Sequence, residues 1–434
     1  MNSPSVQIGW LDLSDTEQAR AREYLRQFRT EGTLDEMGFG IVRDGLADVF
    51  FPATSTIMTH TRYIIFIAAI FMRIEREGLS GPNAAKRLKQ LEDAVRKILT
   101  REQTSDSEEA ELRGVIGASA KEDLQRYPSI IYWNGLKRLG IFKRPDWGLT
   151  YYLDHLADYY AATTPRQDDD GLAHLALAEM HNWDPKLAVV LSESPNISPT
   201  AGFSPQLDFR IGLKEACYLR DRFNALAEIE GPSLISHLLG KSFMAAFSYP
   251  WEVPCPPELV QFVKHARLFS MFAKGATLQY YDLIVAEQKA GGIPVNLDSF
   301  EKPFTAWFDQ TRSDLVNWDV EDFCTIINRK CRLRPRDKAF FKEWLNHYRD
   351  AGNGKELLRN SSARKSIRKR ERWVRPVKYR LGQDKYLRQW RSPESLETDE
   401  YANANHLPYM TNYYRSRIGG TFVREIGAGL KRKI

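Results

Sequence analysis

Apolar residues recur along this chain with the period of a helix far more often than with the period of a strand. Ser14 and Glu17 form a capping box, and Ala21, Tyr24, Leu25 and Phe28 then share one face, which predicts a helix to about Arg29. A second helix is expected over residues 41–51, where Pro52 ends it. A third starts after Thr54 or Ser55 and runs over 57–76; its centre is apolar on nearly every side, so it belongs at the middle of a core. Leu and Val return at helical spacing over 83–99, and the acidic stretch 105–111 reads as a loop.

Residues 127–141 hold a short apolar helix and a turn of the size found in winged-helix modules, but no alternating wing hairpin follows, so a plain helical subdomain is the simpler expectation. Prolines and serines crowd 192–205, and four prolines lie in 250–257; both read as connections. Helical periodicity resumes over 212–228, 258–272 and 278–289. Few segments alternate with a period of two, and no repeat recurs at solenoid spacing. The expected fold is mainly α: an N-terminal helical domain over 1–191, a central one over 206–328 and a basic C-terminal segment over 329–434.

Charge adds what periodicity leaves out. Residues 359–391 hold thirteen Lys and Arg against two acids, Glu371 and Asp384, in a chain whose net charge is only +6. Over 329–434 the count is 28 basic to 11 acidic, which leaves 1–328 with 34 basic and 45 acidic. Such a basic end attracts a polyanion, and it can also dock on the chain's own acidic body. The four cysteines form no CxxC pair, and the longest apolar run, residues 63–72, is about half a membrane span. Reduced thiols, no membrane contact and a cytoplasmic location are therefore expected, and no cofactor is implied.

Several blocks are more specific. Ile8-Gly9-Trp10-Leu11-Asp12 is followed by Leu34-Asp35-Glu36-Met37-Gly38-Phe39-Gly40, then Arg43-Asp44, Ala47-Asp48, Phe51-Pro52 and Thr54-Ser55-Thr56-Ile57. Tyr132-Trp133, Phe269-Ser270, Gly275-Ala276, Tyr280-Tyr281 and Tyr414-Arg415 continue the likeness over nearly the whole chain. This order resembles a bacterial family catalogued as domain of unknown function 6361. Its members often stand beside helicase-like and phospholipase-D-like proteins in defence loci. The resemblance implies an accessory role in handling foreign DNA, and it carries over no catalytic residue.

The basic segment has its own chemistry. Capped by Asn360 or Ser361 and stopped at Arg375 before Pro376, a helix here lines up Arg364, Arg368 and Arg372, flanked by Lys365 and Lys369. Arg370 interrupts its only apolar stripe, Ala363, Ile367 and Val374, so the helix is expected to bury little and lie on a surface. Lys378, Arg380 and Arg388 extend the cations, and Trp373, Tyr379, Tyr386 and Trp390 interleave rings that either stack on bases or anchor the tail. Roughly six contacts to duplex phosphates would give a log–log salt slope of about −5.

Catalytic constellations are weaker. Asp170, His174 and His181, with Glu179, share a side of a possible helix over 171–181 and could bind a transition metal, although acids also suit a helix N-terminus. Asp146 and Asp184 with Lys186 carry the letters of a restriction-type nuclease in a helical context that does not suit it. Asp154, His155 and Asp158 stand among four tyrosines, as on a packed helix. There is no phosphate loop, HxK motif, GxSxG elbow or HExxH helix. The expectation is a non-catalytic nucleic-acid-binding accessory protein, with DNA the favoured nucleic acid and a helicase or nuclease partner. A metal-dependent nuclease and a scaffold whose basic tail docks on an acidic protein are the alternatives.

Overall fold

The computed structural model describes residues 35–103, 114–118, 124, 126–163, 181–198, 202–295, 300–390 and 414–432, without the side chains of 102, 103 and 161–163. The helix expected over 14–29, the loop at 105–111 and all of the 171–181 helix except His181 lie outside these residues. Among the described residues there are seventeen α-helices, and the only sheet is an antiparallel pair of two-residue strands, β1 (Ile197–Ser198) and β2 (Gly202–Phe203). The mainly α expectation holds.

The first four described helices are α1 (Gly40–Phe50), α2 (Tyr63–Arg76), α3 (Gly81–Gln103) and α4 (Pro128–Arg138). Helix α2 packs against α3 and α4 and buries nine of its fourteen residues, every one apolar or aromatic. Each large side chain so buried contributes about 1.5–3 kcal/mol. The helix starts later than its apolar pattern suggests, because Thr59, Thr61 and Arg62 are bound by partners far away in sequence. The Thr59 N–H donates to the Tyr132 hydroxyl at 2.9 Å and the Thr61 N–H to the Glu425 carboxylate at 2.8 Å. Arg62, fully buried, donates to Glu215 at 3.1 Å and to the Asp208 carbonyl at 2.7 Å. After α4 comes a single antiparallel bridge between Phe142 and Trp183, in place of a wing hairpin.

Helices α5 (Leu149–Asp154), α6 (Leu156–Thr163) and α7 (Lys186–Ser192) lead to α8 (Leu213–Glu230) and α9 (Leu234–Gly240). The two helices expected over 258–289 are one, α10 (Val260–Ala290), 31 residues long. Gly275 at its centre marks a close approach rather than a break: a Cβ there would lie 2.1 Å from the Trp307 ring. That ring belongs to α11 (Glu301–Leu315), which is followed by α12 (Val320–Ile327), α13 (Pro335–Asp350), α14 (Gly354–Arg359), α15 (Ser361–Val374) and α16 (Asp384–Leu387). The last described helix, α17 (Ser416–Leu430), returns to pack on α8 and α9. One cluster of buried residues extends from Met37 to Ile426, so the C-terminal segment shares the core of the body.

Candidate nucleic-acid interface

Helix α15 forms where its end signals place it. The Asn360 side chain accepts the Ala363 N–H at 2.9 Å, and the helix ends at Val374, with Arg375 as C-cap ahead of Pro376. Its inner face, however, corrects the expectation of a surface helix with little to bury. Ala363, Ser366, Ile367, Arg370 and Glu371 are all buried against α10 and α13. Three of these five are polar, so each requires a partner.

Arg370 is 2% exposed and is held from three directions. Its guanidinium donates to Asp337 at 2.6 Å, to the Met37 carbonyl at 2.7 Å and to the Gly38 carbonyl at 3.0 Å. Phe39, Phe340, Phe341 and Trp373 surround it, the nearest centroid, that of Trp373, being 4.8 Å away. Burial pulls its pKa down, and Asp337 pushes it back up. Asp337 also accepts the Arg334 N–H at 3.0 Å, which caps α13. Glu371, fully buried, accepts from the Tyr280 hydroxyl at 2.7 Å and from the N–H groups of Arg380 and Leu381 at 2.7 and 3.0 Å. Two glutamines of α10 reach further along the segment, Gln279 to the Leu357 carbonyl and Gln288 to the Leu387 carbonyl.

Nine cations were expected to meet phosphate, and the fold divides them. Arg364 pairs with Asp282 at 3.7 Å, Arg368 with Glu287, Arg370 with Asp337 and Arg380 with Glu36. Arg370 and Arg380 face inward and belong to the interior rather than to a binding surface. Burial raises the Asp282 carboxyl, against the pull of Arg364. Lys365, Lys369, Arg372, Lys378 and Arg388 are exposed and make no ion pair among the described residues. Of these, Lys365, Lys369 and Arg372 stand at i, i+4 and i+7, on one outward stripe of α15.

The fold adds two cations that the sequence reading left out. Arg334 and Arg336, at the start of α13, approach the Trp373 ring at 4.8 and 5.8 Å. Their signal was the alternation Arg332, Arg334, Arg336, which lies upstream of the dense run but inside the basic third of the chain. Trp390, in contrast, is buried and lies 5.6 Å from the Tyr281 ring, so it anchors the segment.

The catalytic candidates are scattered. Asp184 is buried; its carboxylate accepts from Arg222 at 3.0 Å, from the Tyr218 hydroxyl at 3.2 Å and from the Lys186 N–H at 3.1 Å. Asp146 is exposed on the turn before α5. His155 sits at the break between α5 and α6, stacked on Tyr151 at 3.7 Å, while Asp154 and Asp158 point to solvent. Asp170, His174 and Glu179 lie outside the described residues, among which no group of three metal-ligating side chains occurs. No helix among the described residues is long and apolar enough to cross a membrane.

No curated protein and no solved structure matches the chain. The model of one family covers residues 5–399, from ahead of α1 to beyond the basic helix, and the chain therefore belongs to that family of unknown function, DUF6361.

Proposed function

We propose that the protein binds nucleic acid, DNA in the first instance, through the solvent face of its basic C-terminal segment. The observation that carries this reading is the stripe of Lys365, Lys369 and Arg372, without an ion pair among the described residues, on a helix whose inner face is fastened by the buried Arg370–Asp337 pair and by the hydrogen bonds of Glu371. Cations held at fixed spacing on a rigid element meet phosphates with little ordering cost. The acids of the body neutralise the inner cations and leave the outer ones unopposed.

The role is non-catalytic, and a helicase or nuclease partner in a bacterial defence system supplies the reaction. This part rests on the family resemblance and on Asp184, whose carboxylate is engaged by Arg222 and Tyr218.

The test is a fluorescence-anisotropy titration of labelled DNA at several salt concentrations. It compares the full-length protein with a variant in which Lys365, Lys369, Arg372 and Lys378 become Ala. Arg364 and Arg368 stay in place because they fasten the helix to α10. If the five unpaired cations each meet a duplex phosphate, the log–log salt slope is about −4.5, and each removed charge flattens it by about 0.9. Absence of binding at low salt by the unaltered protein would overturn the reading.

A further inference from the structure

We infer that the nucleic acid taken by this surface is single-stranded, with Trp373 as a stacking platform; the inference rests on the nucleic-acid reading above and narrows it. Each half-buried ring of the segment has a cation beside it. Arg334 lies 4.8 Å from the Trp373 centroid and Arg336 5.8 Å, Arg372 lies 5.1 Å from Tyr379, and Lys385 lies 5.6 Å from Tyr386. The fourth ring, Trp390, is the one withdrawn into the core. Rings alternating with exposed cations suit a strand whose bases are free to stack while its phosphates pair. A duplex keeps its bases stacked on each other and has no use for the rings.

Trp373 is the best placed of the three. Arg370 holds it from the interior at 4.8 Å and is itself fixed by Asp337 and two carbonyls. Arg334, whose side chain is 66% exposed, lies at the same distance from the ring. A base that stacks on the indole displaces Arg334 and, in the same movement, brings a phosphate within reach of Arg334 and Arg336. Arg334 gives up an exposed cation–π contact and a 3.6 Å ion pair with Asp337, which keeps Arg370 as its closer cation, and a charge-assisted contact to phosphate replaces them.

The experiment measures binding of fluorescein-labelled oligothymidylate and of a labelled mixed-sequence duplex of equal length to the full-length protein and to Trp373→Leu, Trp373→Phe and Arg336→Gln. The unaltered protein is expected to prefer the oligothymidylate. Trp373→Leu should weaken that binding roughly 5- to 150-fold with little effect on the duplex, and Trp373→Phe should restore most of it. Arg336 is exposed, so Arg336→Gln tests the same site without disturbing the core; it should flatten the salt slope for oligothymidylate by about 0.7. Equal affinity for both probes, or variants that leave oligothymidylate binding unchanged, overturns the single-strand inference while the nucleic-acid reading stands. Failure of the unaltered protein to bind either probe at low salt overturns both.

Discussion

Helices α2 and α15 each have fourteen residues, yet they are anchored by opposite means. Helix α2 buries nine residues without one charged side chain among them, and its place follows from the removal of that surface from water. Helix α15 buries five, of which only Ala363 and Ile367 are apolar; its place follows from Arg370 meeting Asp337 and Glu371 meeting Tyr280. An apolar face is satisfied by almost any apolar neighbour. A buried guanidinium is satisfied by only a few geometries, so α15 gains an exact register from contacts that add little net stability. Register matters on α15, because it decides which cations are left facing outward.

The largest expected effects separate the two kinds of anchor. Arg370→Met removes the nearer of the two cations on the buried Asp337, leaving only Arg334 at 3.6 Å, and should cost about 3–5 kcal/mol in urea unfolding. Phe71→Ala in α2, which removes a ring lying 5.5 Å from that of Trp183, should cost a similar amount, about 3–5 kcal/mol. The difference lies in rescue. Asp337→Asn keeps an acceptor for the Arg334 N–H while removing the charge, so the Arg370→Met, Asp337→Asn double variant should recover much of the loss. A double variant no more stable than Arg370→Met alone would mean that α15 is held by packing, as α2 is.

The same contrast explains what could be read in advance. The ends of α15 were visible because a cap residue and a proline act within a few positions, and α1, α3 and α8 were visible because their period repeats locally. The late start of α2 was hidden because Tyr132 and Glu425 stand 73 and 364 residues from the groups they bind. The continuity of α10 was hidden because Gly275 reads as a break until Trp307 is placed beside it. For the interface, the dense run identified the right segment, but the division of its nine cations depends on Glu36, Asp282, Glu287 and Asp337. No local pattern tells which acid will face which arginine across a packed interior.

An intermediate effect sharpens the comparison from the side of α2. Glu92 of α3 is 3% exposed and has Ser129 for a partner, whose N–H and hydroxyl lie at 2.6 and 3.0 Å. Burial, the largest influence, pushes its carboxyl up to about 8 from an ordinary value of 4.5. Beside α15 the buried Asp337 is matched by a cation; here the acid keeps its proton. Between pH 4.5 and about 8 the folded protein holds a proton that the unfolded chain has released. The stabilisation is complete below pH 4.5 and is lost as pH rises to about 8, at up to ~1.4 kcal/mol per pH unit. Glu92→Gln imitates the protonated form, so the stability difference between it and the unaltered protein should grow across this window. A difference that stays flat from pH 5 to pH 8 would place an unseen counter-charge beside Glu92.

The smallest stability effect is the one that bears most on function. Lys369 is exposed on the outward stripe of α15, three residues from Arg372 and one from the buried Arg370. If the inner face alone anchors the helix, Lys369→Ala should leave unfolding within about 0.5 kcal/mol of the parent. It should also flatten the salt dependence of DNA binding by about 0.7–0.9 in log–log slope. Arg370→Met should do the reverse: a large loss of stability, with the salt slope of the protein that remains folded nearly unchanged, because that charge never faced the ligand. The two variants differ by one position in sequence, yet one changes an exposed side chain and the other a buried one. A Lys369→Ala protein that is destabilised but binds with an unaltered slope would show that the outer cations are structural, and the interface would have to be sought elsewhere.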